Sequence, residues 1–173
     1  MTGLLTAKFA LDGRTAVVTG GAGHLGRVFG ATLVELGARV VLVDRDDASL
    51  ADAAGQVGRA GRGTVAVRRC DLESGDERRA LAAALNATAG GVSVLVHNAA
   101  FVGTSGLAGW ATPFESQSVE TWRRALEVNL TAAFELTQAL LPALRRAPGA
   151  SVVNVASIYG VLGPDWSLYE GTT

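Results

Sequence analysis

The segment Thr15–Gly26, TAVVTGGAGHLG, constrains the fold of this chain more than any other part of the sequence. Its apolar residues Ala16–Val18 predict a short buried strand. A glycine-rich turn follows at once, and apolar residues then recur at helical spacing over Leu25–Leu36. A strand, a glycine turn and a helix in this order are typical of segments that bind the phosphates of a nucleotide.

The physical reason lies in the turn and in the start of the helix. Glycine lets the backbone bend sharply and come close to a pyrophosphate, because no Cβ stands in the way. The first N–H groups of the helix and the positive end of its dipole then face the anion. The segment therefore predicts a nucleotide-binding unit of the α/β class.

Strand and helix patterns alternate along the rest of the chain. The predicted strands are Thr15–Thr19, Arg39–Asp44, Thr64–Arg69, Val92–His97 and Ser151–Ala156. The predicted helices are His24–Leu36, Asp47–Ala60, one capped by Ser74 and reaching Thr88, and a long one capped by Ser118 and reaching Leu144. The long helix carries an apolar stripe. The alternation predicts a doubly wound parallel sheet in the order 3-2-1-4-5, with a ligand crevice between strands one and four.

Composition excludes several other classes of function. A net charge of −1 over 173 residues gives no basic surface for nucleic acid or for anionic membranes. We expect one domain without a membrane span, since no apolar run is long enough to cross a bilayer. The single cysteine, Cys70, forms no internal disulfide, and the N-terminus lacks a signal peptide, which together predict a cytoplasmic protein. His24, Cys70 and His97 are too scattered to suggest a metal site.

Asp44 ends the second predicted strand, 18 residues after Gly26. A carboxylate at this position can accept hydrogen bonds from the ribose hydroxyls of an adenosine, and it repels a 2′-phosphate. It therefore favours NAD over NADP. Arg45, which follows it, could instead tolerate a phosphate, and an ordinary solvated acidic loop is the alternative interpretation.

Polar residues follow three further strands at the same predicted edge. Asp71 and Leu72 could line an adenine pocket, although Asp71 could equally cap the next helix. Asn98 could join two strand ends through its side chain, or belong to an ordinary turn. Ser157 could hold a substrate oxygen or be a plain loop serine, and Asn129, within the last predicted helix, needs a hydrogen-bond partner.

Six motifs in order carry a resemblance to a known family. They are TGGAGHLG, Asp44, CDL, HNAA, the VNLTA around Asn129, and VVNVASIYG. Over residues 10 to 160 the chain resembles the short-chain dehydrogenase/reductase family. The resemblance implies a Rossmann-like fold, NAD(P)-dependent hydride transfer at an alcohol or carbonyl carbon of a small molecule, and, for a full-length member, a homo-oligomer.

The resemblance also implies roles for individual residues. The pyrophosphate would be held by Gly20, Gly23, His24, Leu25 and Gly26. The adenosine would be held by Asp44, Asp71 and Leu72, and the nicotinamide ribose would be flanked by Asn98, Ala99 and Ala100. Ser157 would orient the substrate oxygen, and Asn129 would belong to a proton relay.

The chain departs from the family pattern most clearly at the acid/base pair. The family uses a Tyr followed four residues later by a Lys, whose ammonium lowers the pKa of the phenol. Here the positions four residues after Tyr159 and Tyr169 are Gly163 and Thr173, and no Lys follows Ser157. Smaller departures are His24 in the glycine turn, and His97 and Ala100 in the run that is usually Asn-Asn-Ala-Gly.

The departures and the last segment of the sequence lead to expectations about the domain and its substrate, and they leave two alternatives open. The chain is expected to be one dinucleotide-binding domain over residues 1–173, incomplete at its C-terminus and inactive as given. The segment SIYGVLGPDWSLYEGTT is more similar to members with a longer loop before the tyrosine, which points to a sugar or nucleotide-sugar substrate. The alternatives are a dinucleotide-binding or regulatory module without chemistry, and an incomplete fragment.

Overall fold

A five-stranded parallel sheet forms the centre of the molecule. The computed structural model describes residues 8–101, 107–110 and 112–163. The strands are β1 (Thr15–Thr19), β2 (Arg39–Asp44), β3 (Thr64–Arg69), β4 (Val94–His97) and β5 (Ser151–Asn154). Their order is β3-β2-β1-β4-β5, with each neighbouring pair parallel. The predicted class and strand order are therefore confirmed.

Helices connect the strands on both faces of the sheet. They are α1 (His24–Glu35), α2 (Asp47–Val57), α3 (Gly75–Asn86), α4 (Val119–Leu126), α5 (Ala132–Ala139) and α6 (Leu141–Arg146). A π-helical turn, Glu127–Thr131, joins α4 to α5, and short 3-10 turns lie at Phe114–Ser116 and Ile158–Gly160. Among the described residues, none of the helices has both the length and the apolar character that crossing a bilayer requires.

The two faces of the sheet belong to two hydrophobic clusters, because successive side chains of a strand point to opposite sides. On one face Val17 and Leu95 pack with residues from the later helices, including Leu136. On the other face Val18 and Leu42 pack with α1 and α2. The central strands β1 and β2 are consequently buried almost throughout, as expected for strands covered on both sides.

Side-chain caps fix where several helices begin. The hydroxyls of Ser74 and Ser118 accept hydrogen bonds from the N–H groups three residues later, in Glu77 and Thr121. The carboxylate of Asp46 does the same for Ser49 at the start of α2, at 2.7 Å. Each cap satisfies one of the N–H groups that the first helical turn leaves without a partner. The predicted caps at Ser74 and Ser118 are confirmed.

The last predicted helix, Ser118–Leu144, is not continuous. The π-helical turn interrupts the helix, and the helix is interrupted again at Leu140, the residue before α6. Pro142 lies in the first turn of α6, where the missing N–H of proline costs no helical hydrogen bond.

Most of the predicted apolar stripe of this helix is exposed. The face turned toward solvent carries Val119, Trp122, Leu126, Leu130 and Phe134, which are 40% to 67% exposed. The residues that α4 and α5 bury are Thr121, Ala125, Ala132 and Leu136. Leu140 alone among the large residues of the predicted stripe is fully buried. Strand β5 is likewise exposed and, within the described residues, pairs with β4 alone.

Candidate functional site

A cavity of about 440 Å³ lies along the carboxyl ends of the strands. It is lined by every residue that the sequence assigns to cofactor binding except Gly26: Gly20, Gly23, His24, Leu25, Asp44, Arg45, Asp71, Leu72, Asn98, Ala99 and Ala100. In parallel sheets of this kind the carboxyl edge is where ligands bind, near the point where the strand order reverses. The sheet thus brings together residues that are 80 positions apart in the chain.

The glycine turn needs glycine for two separate reasons. Gly20 has a φ of +63°, and a Cβ there would lie 2.8 Å from the Cα of Ala99. Gly26 lies beneath the cavity wall, and a Cβ there would lie 2.1 Å from the carbonyl oxygen of Gly20. The first glycine lets the turn and the segment after β4 meet, and the second lets α1 pack directly under the turn.

Helix α1 begins at this turn with its N–H groups uncapped by a side chain. Its N-cap is Gly23, and its first turn has no acidic residue. The buried face of α1 consists of Gly26, Gly30 and Val34, whereas Leu25 and Val28 are exposed, so the helical pattern predicted the helix but not its face. An uncapped helix start next to a cavity is a favourable place for an anion.

Asp44 is fixed beside the glycine turn by backbone hydrogen bonds. One carboxylate oxygen accepts from the N–H of Ala22 at 3.1 Å, and the other accepts from the N–H of Arg45 at 2.8 Å. The guanidinium of Arg27 donates to the carbonyl of Ala22 at 2.9 Å and pairs with Asp52 in α2. The carboxylate is therefore held at the cavity wall, at the end of β2.

Asp71 does not cap the helix that follows it. Ser74 is the cap, and one carboxylate oxygen of Asp71 instead accepts from the N–H of Glu73 at 3.0 Å. The N–H of Asp71 donates to Glu77 at 2.7 Å. Of the two interpretations left open by the sequence, helix capping by Asp71 is therefore excluded.

Cys70 lines the same cavity but is a poor nucleophile. Its thiol is buried, and this burial, together with the nearby carboxylates, raises its pKa to about 11. Because the thiolate is the reactive form, little of it exists near neutral pH.

Asn98 joins the ends of two strands, as expected. Its amide donates to the carbonyls of Thr19 and Gly20 at 3.0 and 3.1 Å. The hydroxyl of Thr19 in turn accepts the N–H groups of Asn98 and Ala99, at 3.1 and 3.2 Å. Sequence reasoning missed Thr19, although its place at the end of a strand next to the glycine turn was a usable signal.

Asn129 lies in the π-helical turn and belongs to a second cavity of about 550 Å³. Its side-chain oxygen accepts the N–H of Phe101 at 2.6 Å, which supplies the partner that the sequence required. The first cavity does not include Asn129.

His97 lines this second cavity as well. Its Nε2 lies 2.9 Å from the hydroxyl of Thr137, and that hydroxyl donates to the carbonyl of Ala133 at 2.8 Å. Nε2 therefore carries the proton, because the hydroxyl has only one hydrogen to give. Burial lowers the pKa of His97, which favours the neutral ring.

Ser157 lies outside both cavities. It is exposed, and its hydroxyl accepts the N–H of Tyr159 at 3.2 Å at the start of a 3-10 turn. Tyr169 lies outside the described residues. Over 8–101, 107–110 and 112–163, no group of three His, Cys, Asp or Glu side chains is close enough to hold a metal ion.

Glu73, Phe101 and Arg124 are among the residues of the cavity wall that the sequence did not assign to the site. Arg124 makes two hydrogen bonds to Glu73, and its guanidinium lies over the ring of Phe101. These contacts join the segments after β3 and β4 through α4, and only the tertiary fold brings them together.

The fold and the cavity together define a doubly wound α/β protein with a cleft at the carboxyl edge of its sheet. The sequence model of the family described as short chain dehydrogenase matches residues 14–172. The chain belongs to this short-chain dehydrogenase family, a family of oxidoreductases.

Individual members show how similar the chain is to known proteins. It is 36% identical over 157 residues to the rhamnolipid-biosynthesis 3-oxoacyl-[acyl-carrier-protein] reductase of Pseudomonas aeruginosa, a match that covers 88% of this chain. It is 34% identical over 154 residues to a 2,5-dichloro-2,5-cyclohexadiene-1,4-diol dehydrogenase of Sphingobium indicum, again over 88% of this chain.

A solved structure is also similar to this chain, in fold as well as in sequence. The Pseudomonas aeruginosa RhlG/NADP active-site complex aligns with a TM-score of 0.77 and 34% identity, over 91% of this chain and 59% of that one. The chain spans 58% of the length of each of the two curated relatives named above.

Proposed function

We propose that residues 1–173 form a dinucleotide-binding domain of an NAD-dependent oxidoreductase, which transfers hydride between nicotinamide and an alcohol or carbonyl substrate. The observation that carries the proposal is the carboxylate of Asp44, held by the N–H of Ala22 within the glycine turn. Family membership supports the class of reaction, because the relatives are named as dehydrogenases and reductases.

The residues of the cleft fit a dinucleotide. The lack of a Cβ at Gly20 and at Gly26 lets the segment after β4 and helix α1 pack closely against the turn, and Gly20 and Gly23 of that turn line the cavity. The uncapped start of α1 supplies N–H groups for the charge of a pyrophosphate. When bound, the nicotinamide supplies the carbon that accepts or gives the hydride. The chain's part is to bind the cofactor, orient it, and hold the segment Asn98–Ala100 beside its ribose.

NAD is preferred to NADP on electrostatic grounds. Asp44 can accept hydrogen bonds from two ribose hydroxyls, and its charge repels a 2′-phosphate in the same place. Arg45 is exposed at the rim and is the residue that works against this preference. The similar RhlG structure is described with NADP, whereas NAD is the cofactor proposed for this chain. The two proteins would therefore differ in their cofactor.

The roles proposed for Asn129 and Ser157 are a proton relay and the orientation of the substrate oxygen. The side-chain oxygen of Asn129 is engaged by Phe101, so its amide N–H groups are the side available to a relay. The 173 residues contain no Tyr-x-x-x-Lys unit, and a protein consisting of them alone is expected to bind cofactor without turnover.

A narrower substrate proposal, a sugar or nucleotide-sugar derivative, rests on the segment from Ser157 onward and on nothing in the cleft. The relatives are named for an acyl-carrier-protein substrate and a cyclic diol, which is compatible with alcohol or carbonyl chemistry in general. Homo-oligomer formation and a cytoplasmic location stay predictions from the sequence.

Because residues 1–173 hold no Tyr-x-x-x-Lys unit, the second candidate for these residues is a dinucleotide-binding module without chemistry. The two candidates share the cleft and differ in turnover. Hydride transfer by the 173-residue protein at a rate well above background would contradict its expected inactivity and would favour Tyr169 or a partner chain as the acid.

Titration of the protein with NADH, followed by nucleotide fluorescence, tests the binding function that both candidates share. Asp44→Ala is expected to weaken NADH about tenfold to a hundredfold, because charge-assisted hydrogen bonds to the ribose are lost, and to weaken NADPH less. Asp47→Ala, in the same acidic run but exposed at the start of α2, is the matched control and should bind like the unaltered protein. Equal NADH affinity in Asp44→Ala would contradict the proposal, and no saturable binding by the unaltered protein would favour the fragment interpretation.

A further inference from the structure

Arg124 occupies the wall of the cleft between two loops that come from different strands. From α4 its Nε and one terminal nitrogen donate to the two carboxylate oxygens of Glu73, at 2.6 and 3.1 Å. Glu73 belongs to the segment after β3, and both residues line the cavity. Two parallel hydrogen bonds of this kind fix the orientation of both partners as well as their distance.

The same guanidinium also contacts the segment after β4. Its central carbon lies 5.3 Å from the centroid of the Phe101 ring, a distance at which a cation and an aromatic face attract each other. The ring of Phe101 is further held by Trp110, edge to face, with centroids 5.3 Å apart and an angle of 71° between the planes.

Each contact of Arg124 continues to a residue with a proposed role. On one side the N–H of Glu73 donates to Asp71, which we place at the adenine, at 3.0 Å. On the other side the N–H of Phe101 donates to Asn129, which we place in the proton relay, at 2.6 Å. A continuous path therefore runs from Asp71 through Arg124 to Asn129.

We propose that Arg124 is a positioning residue of the cleft: it clamps the adenine-side segment at Glu73 to the nicotinamide-side segment at Phe101. This inference rests on the proposed dinucleotide function. The consequence is energetic coupling, because a ligand that engages both segments gains from the clamp, whereas a ligand that reaches the adenine side alone gains less.

The chemistry of arginine explains why this side chain and not another cation is found here. A planar guanidinium can fork onto a carboxylate and lie over a ring at the same time, whereas an ammonium is a point charge that cannot do both. An exposed ion pair by itself contributes little to stability, whereas this pair is partly buried and its guanidinium also lies over the ring of Phe101.

The test compares two ligands on one set of variants. NADH spans both segments, and ADP has the adenine, one ribose and the pyrophosphate but no nicotinamide nucleoside. Arg124→Gln and Arg124→Lys are expected to weaken NADH about tenfold while weakening ADP by about threefold or less, within the usual range of coupling between sites. Arg123→Gln, its exposed neighbour on the same helix, is the matched control.

Glu73→Gln is measured as the partner variant, and it keeps the test decisive if an Arg124 variant fails to fold. It should weaken NADH more than ADP in the same way, and the variant with both changes should be no weaker than either single one, because the two residues act as one unit. Thermal melting of each variant checks that folded proteins are being compared.

The outcomes separate this inference from the function on which it rests. Equal losses for NADH and ADP would overturn the positioning role and leave Arg124 as a contact of the adenosine. Unchanged NADH affinity in the folded variants would overturn the inference while the proposed function stands. No NADH binding by the unaltered protein would overturn both.

Discussion

His97 is a buried histidine, and its surroundings favour the neutral form of the ring. Its ring is buried at the end of β4, and its Nε2 donates to Thr137. Burial lowers the pKa of this ring, since removing a charged imidazolium from water is unfavourable. The imidazole of His97 is therefore a group through which pH can act on the stability of the fold.

This burial predicts a loss of stability in mild acid. Above the unfolded-state pKa, about 6.5, both states are neutral at this position and the stability is fully present. As the pH falls below that value the unfolded chain takes up a proton more readily than the folded one, so the free energy of unfolding decreases. The measurement is the Tm by circular dichroism at pH 7.5 and 5.5.

The variant His97→Asn isolates the effect from that of the carboxylates. Its Tm is expected to fall less between pH 7.5 and 5.5 than that of the unaltered protein. His24→Asn, which changes an exposed histidine at the start of α1, should behave like the unaltered protein. The same decrease in Tm for His97→Asn as for the unaltered protein would exclude His97 as the cause.

At the scale of secondary-structure elements, Arg78 joins three parts of the molecule. This residue of α3 is only 4% exposed. It donates to Glu127 in the π-helical turn at 2.6 Å, to Glu135 in α5 at 2.8 Å, and to the carbonyl of Leu72 in the cleft. The two carboxylates hold the pKa of Arg78 above its ordinary value, against the effect of burial, so the guanidinium stays charged.

Arg78→Met should therefore destabilise the protein. Breaking a buried ion pair costs about 3–5 kcal/mol, and because both carboxylates keep some contact with water we expect about 2–3 kcal/mol. For a chain of this size that corresponds to a decrease in Tm of about 5–10 °C. Arg79→Met is the control, because its ion pair with Asp76 is exposed and should contribute less than about 1 kcal/mol. Equal Tm values for the two variants would show that the network contributes nothing.

The elements differ in how far the sequence predicts them. Strands such as β1 are set by a continuous apolar run and by the turn that follows, so their limits were predicted closely. The helix over Ser118–Leu144 was predicted as one piece, because a π-helical turn leaves no mark in the apolar spacing and depends on contacts such as Glu127 with Arg78. Its apolar stripe was predicted from periodicity, which reveals a face but not what covers it.

The same limit applies to the candidate site. Gly20, Asp44 and Asn98 could be found because each follows a strand and carries a local chemical signal. Glu73 and Arg124 could not, because they are 51 residues apart and meet only when α4 crosses the carboxyl edge of the sheet. Local chemistry therefore predicts the cleft residues that follow the strands, and the tertiary fold decides which other residues line the cleft.

For the whole molecule, the described residues leave two apolar surfaces uncovered. One is the face of α4 and α5 that carries Trp122 and Phe134, and the other is the edge strand β5 with its valines. Exposed apolar area of this extent usually marks an interaction surface. The homo-oligomer expected from the family resemblance would have these surfaces available, and it stays a prediction.

The central claim is that the carboxyl edge of this sheet binds a dinucleotide. A crystal structure of the protein grown with NAD⁺ tests it most directly. We expect density for the pyrophosphate beside the glycine turn at Gly20–Gly23, with the adenosine ribose hydroxyls at the carboxylate of Asp44. A dinucleotide bound at another surface, or a cleft that stays empty at saturating NAD⁺, would contradict the account.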